Sequence, residues 1–134
     1  MALKTIMIID DDEDDRFFFC SAVKEINPAY ICQEAKNGKE ALEILRDTVK
    51  LPDFIFLDIN MPVMGGKECL AELKMDDKLK HIPVIMYTTS SFQTDIEFTR
   101  QLGAADYFIK SFDISKLPAG IVKAMQMDVK TAFK

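Results

Sequence analysis

Short apolar runs alternate along the chain with longer stretches of mixed polarity, and the two kinds of segment differ in period. Thr5 to Ile9 is apolar at nearly every position, as a strand covered on both faces requires, and the acids from Asp10 onward end it. A helix is predicted from there to about Ile26, stopped by Asn27-Pro28. Tyr30-Ile31-Cys32 offers a weak second strand, and Asn37-Gly38 opens a helix with Ala41, Leu42, Ile44 and Leu45 on one side. Phe54-Ile55-Phe56-Leu57 is an uninterrupted apolar run of the kind a central parallel strand needs, with Asp58 at its carboxyl end. Pro62 and Gly65-Gly66 break the loop that follows, a helix is predicted over Lys67 to Met75, and Pro83 to Tyr87 forms a fourth strand ending at Thr88-Thr89. A further helix spans Phe92 to Leu102 with Gly103 as its cap. Tyr107-Phe108-Ile109 is the fifth strand, and an amphipathic helix runs from Ile114 to about Met127. No repeat or low-complexity linker interrupts these five β–α units.

Strands separated by helices run parallel with right-handed crossovers, and in such open sheets ligands bind beyond the carboxyl ends of the strands. Those ends hold Asp10 and Asp11 after the first strand, Asp58 after the third, Thr88 after the fourth and Lys110 after the fifth. Four of the five therefore carry polar chemistry.

A length of 134 residues suits one domain with a real core, so residues 1–134 are read as a single domain. Hydrophobic residues at 49% and charged residues at 29% fit a globular chain rather than a disordered or fibrous one. A net charge of −5 argues against direct nucleic-acid binding and against an anionic membrane surface. Ile6 to Ile9 is too short for a signal-peptide core and no stretch approaches membrane-spanning length, so the expected location is the cytoplasm. Cys20, Cys32 and Cys69 are widely spaced without a C-x-x-C pair, and small buried thiols are the expectation.

The matching pieces Ile9-Asp10-Asp11, Leu57-Asp58-Ile59-Asn60-Met61-Pro62-Val63-Met64-Gly65-Gly66, Thr88 and Tyr107-Phe108-Ile109-Lys110 give the chain, over nearly all of its length, a resemblance to the receiver domains of two-component response regulators. Each piece is short; their order at the ends of successive predicted strands makes the signal specific. The resemblance implies an α/β, flavodoxin-like five-stranded parallel sheet of order 2-1-3-4-5 with helices on both faces, and a phosphorylatable aspartate at Asp58. It also implies that Asp11 ligates Mg2+ directly, Asp10 through water and Asn60 through its backbone carbonyl, with Asp58 completing the metal set.

Elementary electrostatics agrees. Three carboxylates converging on one crevice repel one another, each pair at about 4 Å by on the order of 4 kcal/mol in a surface-like dielectric, so a cation must join them. A hard divalent ion with oxygen ligands, magnesium above others, suits the donors. Asp58 then stays ionised and attacks a phosphoryl donor, while the metal and Lys110 neutralise charge and Thr88 offers a hydroxyl to a phosphoryl oxygen. A hydroxyl drawn inward vacates space on the fourth strand that Tyr107 can fill by the resemblance. Thr88 and Tyr107 are thus the expected switch pair, and the fourth helix, fifth strand and fifth helix the output face. Tyr107 also fits simple packing on its strand.

Other readings of these residues are weaker. Asp12-Glu13-Asp14-Asp15 favours a helix start electrostatically. An EF-hand loop from Asp10 or Asp11 would need Gly where Asp15 or Arg16 stands and Glu where Ser21 or Ala22 stands. Gly65-Gly66-Lys67 lacks the rest of a P-loop, with Met61 and Glu68 at the positions that matter. A haloacid-dehalogenase-like site would want an acid where Asn60 stands. His81 has no partner at ligand spacing. Of Phe17-Phe18-Phe19 not all can face inward, and one is free for a partner surface.

Receiver domains usually follow the lysine with a cis-proline, and here Ser111 follows Lys110. A cis bond before a non-proline residue costs about 2.5–4 kcal/mol, so a trans bond and a shifted loop are expected. The short tail from Asp128 to Lys134 has no room for an output domain, so output is expected through binding. The expected partners are a histidine kinase or histidine phosphotransfer protein and a downstream target protein, with a homodimer left open. The chain is expected to be no turnover enzyme but a phosphoacceptor that catalyses its own aspartyl phosphorylation and dephosphorylation. The alternative is a receiver-shaped binding module that works without phosphorylation.

Overall fold

The computed structural model describes residues 4–126. The elements in order are β1 (Thr5–Ile9), α1 (Glu13–Ile26), β2 (Ile31–Ala35), α2 (Gly38–Asp47), β3 (Phe54–Leu57), α3 (Gly66–Met75), β4 (Val84–Thr88), α4 (Gln93–Gln101), β5 (Asp106–Ile109) and α5 (Leu117–Gln126). All strand pairs are parallel, in the order β2-β1-β3-β4-β5. The expected sheet order and β–α alternation are therefore present.

The sheet separates two apolar layers, and alternate residues of each strand serve one or the other. Met7, Ile9, Ile55, Leu57, Val84 and Met86 pack with Ala41, Leu42, Leu45, Leu70 and Leu73 of α2 and α3. Ile6, Ile8, Phe56, Ile85 and Tyr87 face Phe19, Ala22 and Val23 of α1 and Leu117, Ile121 and Ala124 of α5. This double burial explains why β1 and β4 are buried at every position. Edge strand β2 is half-exposed and carries Gln33 and Glu34, so its apolar signal is faint; it starts at Ile31, after Tyr30, and runs on to Ala35. In the phenylalanine run, Phe19 is fully buried against Phe56 and Tyr87, whereas Phe17 is 65% exposed.

Caps fix where the helices start. Asp12 accepts hydrogen bonds from the N–H groups of Asp14 and Asp15 at the head of α1. Asn37 does the same for α2 through the Glu40 N–H at 2.9 Å. Gly103, with φ of 103°, turns the chain out of α4 in a conformation that glycine adopts freely. α3 begins at Gly66, one residue before the expected start, and β4 is shifted to Val84–Thr88. The expected last helix is divided: Ile114–Lys116 is a 3-10 turn capped by Asp113, and the α-helix proper runs from Leu117 to Gln126. Its predicted end at Met127, and the tail from Asp128 to Lys134, lie outside the described residues.

The cysteine expectation needs correction. Cys20 of α1 and Cys32 of β2 are joined in a disulfide, because packing of α1 over the edge strand brings their Cα atoms to 5.5 Å. Only Cys69 is a buried free thiol, and burial pushes its pKa up to about 12. No helix among the described residues is long and apolar enough to cross a membrane.

Candidate functional site

Parallel pairing stacks the carboxyl ends of β1, β3, β4 and β5 along one rim of the sheet, and the residues just past those ends face a common crevice. Backbone hydrogen bonds continue the ladder into the loops: Asp10 N–H to Ala35 O, Asp58 N–H to Ile9 O (both 3.0 Å), and Lys110 N–H to Thr88 O (2.7 Å). Asp10, Asp58 and Lys110 therefore project from backbone still held by the sheet's own hydrogen-bond ladder.

Asp10, Asp11 and Asp58 each offer a carboxylate oxygen within 4.8 Å of the others. Asp10 is fully buried, Asp58 is buried and Asp11 is exposed at the mouth. One oxygen of Asp58 accepts from the Ile59 N–H at 2.8 Å; the other lies 3.3 Å from the Lys110 ammonium. One oxygen of Asp10 accepts from the Asp12 N–H at 3.0 Å, and the other meets the same ammonium at 2.6 Å. Burial pushes the Asp10 carboxyl up to about 6 and the charge of Asp58 adds to this, while Lys110 and the Asp12 N–H pull the other way. Burial also works against the ammonium of Lys110, but its bonds to Asp10 and Asp15 and the charge of Asp58 outweigh that and raise its pKa. All three clustered donors are hard carboxylate oxygens, which fits a divalent cation of the magnesium or manganese kind rather than zinc or copper.

Asp15 is the residue that sequence reasoning missed. Its carboxylate is 2.8 Å from Lys110 Nζ, so the lysine is shared among Asp10, Asp15 and Asp58. In a run of six consecutive acids, Asp10 to Asp15, nothing in composition marks it; the one signal is helix phase, three residues past the Asp12 cap and on the turn that faces the crevice. The Lys110–Ser111 bond is trans, and there are no cis peptides among the described residues.

The loop after β3 explains the Pro-x-x-Gly-Gly run. The Gly66 N–H donates to Ile59 O at 2.8 Å, and a Cβ on Gly66 would stand 2.0 Å from the carbonyl oxygen of Asp58. The start of α3 thus lies directly against the backbone of Asp58 and Ile59 only because residue 66 has no side chain. Asn60 is exposed in this loop, two residues past Asp58.

Thr88 is fully buried at the end of β4, and its hydroxyl oxygen accepts from the Ser90 N–H at 3.4 Å. Tyr107 packs partly against the α2–α3 layer and donates its hydroxyl proton to Ser90 O at 2.9 Å. Both expected switch residues therefore hold Ser90, Thr88 at its N–H and Tyr107 at its carbonyl. Ser90 also donates from Oγ to Asp95 of α4 at 2.6 Å, and Asp95 pairs with Lys67 of α3 at 2.7 Å. His81 is exposed and takes no part.

Comparison with known proteins gives one consistent family. The sequence profile of the response regulator receiver domain matches residues 6–122. The chain is 34% identical over 113 residues to the polar-differentiation response regulator DivK of Brucella anthropi, covering 84% of this chain and 89% of that protein. It is 36% identical over 123 residues to a probable cyclic di-GMP phosphodiesterase of Vibrio cholerae, of whose length it spans only 26%. Among solved structures, the phosphorylated cyanobacterial phytochrome response regulator RcpA superposes with a TM-score of 0.84 at 31% identity, covering 99% of this chain and 98% of that one. The Mn2+-bound form of the response regulator Rcp1 gives 0.81 at 26% identity, with 96% of both chains covered.

Proposed function

The chain belongs to the response regulator receiver domain family, and from that membership we propose that it is a phosphoacceptor switch. In this reading the Asp58 carboxylate takes a phosphoryl group from the phosphohistidine of a sensor kinase or a histidine phosphotransfer protein. The observation that carries the reading is the setting of Asp58 at the end of β3: one oxygen is tied to the Ile59 N–H, and the other is turned toward Lys110 beside Asp10 and Asp11.

The chemistry asked of the chain is positioning and charge neutralisation. The Ile59 N–H holds one oxygen at 2.8 Å, which leaves the second free to attack in line. Lys110 moves from its carboxylate partners to an oxygen of the arriving phosphoryl group, keeping the charge in the crevice balanced. Asp10, Asp11 and Asp58, with the backbone carbonyl of Asn60, would hold Mg2+, which when bound supplies further neutralisation of the phosphoryl oxygens. The Thr88 hydroxyl then turns from Ser90 to a phosphoryl oxygen. Because Tyr107 holds the carbonyl of that same Ser90, one event loosens the β4–α4 loop and the tyrosine together.

The readout is a changed α4–β5–α5 face offered to a downstream protein. α4 is the helix least committed to the core, burying only Thr99 fully, and Phe92, Phe98 and Ile109 stand exposed around it. Asp58 is phosphorylated and its acyl phosphate is later hydrolysed within the same molecule, releasing inorganic phosphate and the free carboxylate, so the protein acts as a self-phosphorylating regulator rather than a turnover enzyme. The reading calls for a cytoplasmic protein, since kinase histidines are charged there. Incubation with a radiolabelled phosphohistidine protein should move label onto this chain in a base-labile acyl phosphate, and Asp58→Asn should take none. Failure of transfer, with binding of the donor retained, would favour the phosphorylation-independent module.

A further inference from the structure

Outside the crevice, α1 is fastened to edge strand β2 by a row of side chains one helical turn apart. Arg16, Cys20 and Lys24 stand at i, i+4 and i+8 on the helix, and they meet Glu34, Cys32 and Tyr30 in reverse order along the other segment. Arg16 Nε bonds Glu34 Oε1 at 3.1 Å, Cys20 is joined to Cys32, and Lys24 donates to the carbonyl oxygen of Tyr30. Only the middle rung is covalent. Its Cα separation of 5.5 Å lies in the range a disulfide spans without backbone movement, so the rung can open and close within the fold. Cys20 also lines a surface depression of about 360 Å³ with Glu13, Phe17, Ser21, Lys24 and Glu34, which gives small oxidants and reductants a path to its sulfur. Cys69 is buried on the other side of the sheet and does not compete.

The same helix also holds the crevice. One turn before Cys20, the Arg16 guanidinium donates to the carbonyl oxygen of Asp10 at 2.8 Å, and Asp15 binds Lys110 at 2.8 Å. Whatever loosens α1 from β2 therefore loosens the supports of two site residues.

We propose that Cys20 and Cys32 form a reversible redox site, closed by peroxide and opened by dithiols, that sets how firmly α1 holds Asp10 and Lys110. On closure the Cys20 thiolate displaces hydroxide from hydrogen peroxide to give a sulfenic acid. The Cys32 thiol then attacks that sulfur and forms the S–S bond. Two thiols and one peroxide become one disulfide and two waters. Opening returns two electrons and two protons from a dithiol, which leaves as its own disulfide. In a compartment that keeps thiols reduced, the closed form would report oxidation. The redox chemistry stands on its own, whereas its effect on phosphorylation rests on the phosphoacceptor reading.

The test uses the full chain, reduced with dithiothreitol and then either left reduced or treated with hydrogen peroxide. Native alkylation with iodoacetamide and intact mass should count two reactive thiols in the reduced form, mapped to Cys20 and Cys32, and none in the oxidised form. Closure should raise Tm by on the order of 5–10 °C for a loop of this size. Mg2+ affinity by calorimetry and the phosphorylation rate with acetyl phosphate should each be roughly 3–10-fold higher in the closed form, as expected for sub-ångström tightening of a site. The Cys20→Ser/Cys32→Ser variant should behave as the reduced form under both conditions. Two thiols that survive peroxide, or closed and open forms with equal Mg2+ affinity, would overturn the proposal. A thiol count and Mg2+ affinity that switch together, with no phosphorylation in either form, would instead sink the phosphoacceptor reading.

Discussion

Gly66→Ala is the smallest change that reaches the acceptor segment without touching a charged group. A methyl group at residue 66 would lie 2.0 Å from Asp58 O, 2.8 Å from Asp58 C and 2.8 Å from Ile59 Cα, all of them backbone atoms that cannot swing aside. Restoring a contact of about 3.3 Å requires the start of α3 or the Asp58 loop to shift by more than an ångström. Overpacking on this scale costs about 1–3 kcal/mol or somewhat more. For a chain of this size that is a fall in Tm of roughly 4–12 °C. A misplacement near 1 Å at a reacting group costs up to about 100-fold in rate. Thermal melts and the rate of mass gain with acetyl phosphate and Mg2+ read the two effects separately. Gly65→Ala is the control: its Cβ would meet only Ile59 O closely, at 3.0 Å, and its backbone at φ −77° suits alanine, so its losses should be much smaller. A Gly66→Ala protein with wild-type Tm and rate would refute the close-approach argument.

Lys110→Met removes the cation that Asp10, Asp15 and Asp58 share; without Mg2+ it should destabilise the protein by about 2–4 kcal/mol, limited by protonation of Asp10, and Mg2+ should recover more stability than in the wild type. Denaturant melts with and without the metal check this, and a variant as stable as the parent in chelator would count against the shared ion pair. Metal binding needs ionised Asp10, whose carboxyl burial has pushed up to about 6. Calorimetric Mg2+ affinity should therefore fall by about tenfold per unit below pH 6, and constancy down to pH 4 would show the ordinary carboxylate value instead. Phe19→Ala empties the contact with Phe56 and Tyr87 in the α1–α5 layer and should cost about 3–5 kcal/mol in chemical denaturation, whereas Phe17→Ala, at 65% exposure, should cost little. Equal costs for the two would contradict the assigned facing of α1.

The parts legible in the sequence are those where one residue's burial decides its type. Strands β1, β3 and β4 lie between two helical layers, so nearly every position is apolar and the runs stand out. The crevice acids and Lys110 could be found because a parallel sheet brings its carboxyl ends together whatever the details of packing. β2 was faint because an edge strand has one exposed side. Its pairing with α1 through Cys20 and Cys32 depends on how that helix lies over the edge, which spacing along the chain does not encode; the helical row Arg16, Cys20 and Lys24 was the available hint. Asp15 escaped for a similar reason, since helix phase and not residue type distinguishes it from its acidic neighbours. Gly66 reads in sequence only as a loop breaker, and its crowding against Asp58 emerges when α3 is docked.

The most direct test of the phosphoacceptor account is intact mass after incubation with acetyl phosphate, with and without Mg2+, for the native chain and Asp58→Asn. The account predicts a gain of one phosphoryl group that requires both the metal and Asp58. No gain in the native chain, or an equal gain in Asp58→Asn, would contradict it.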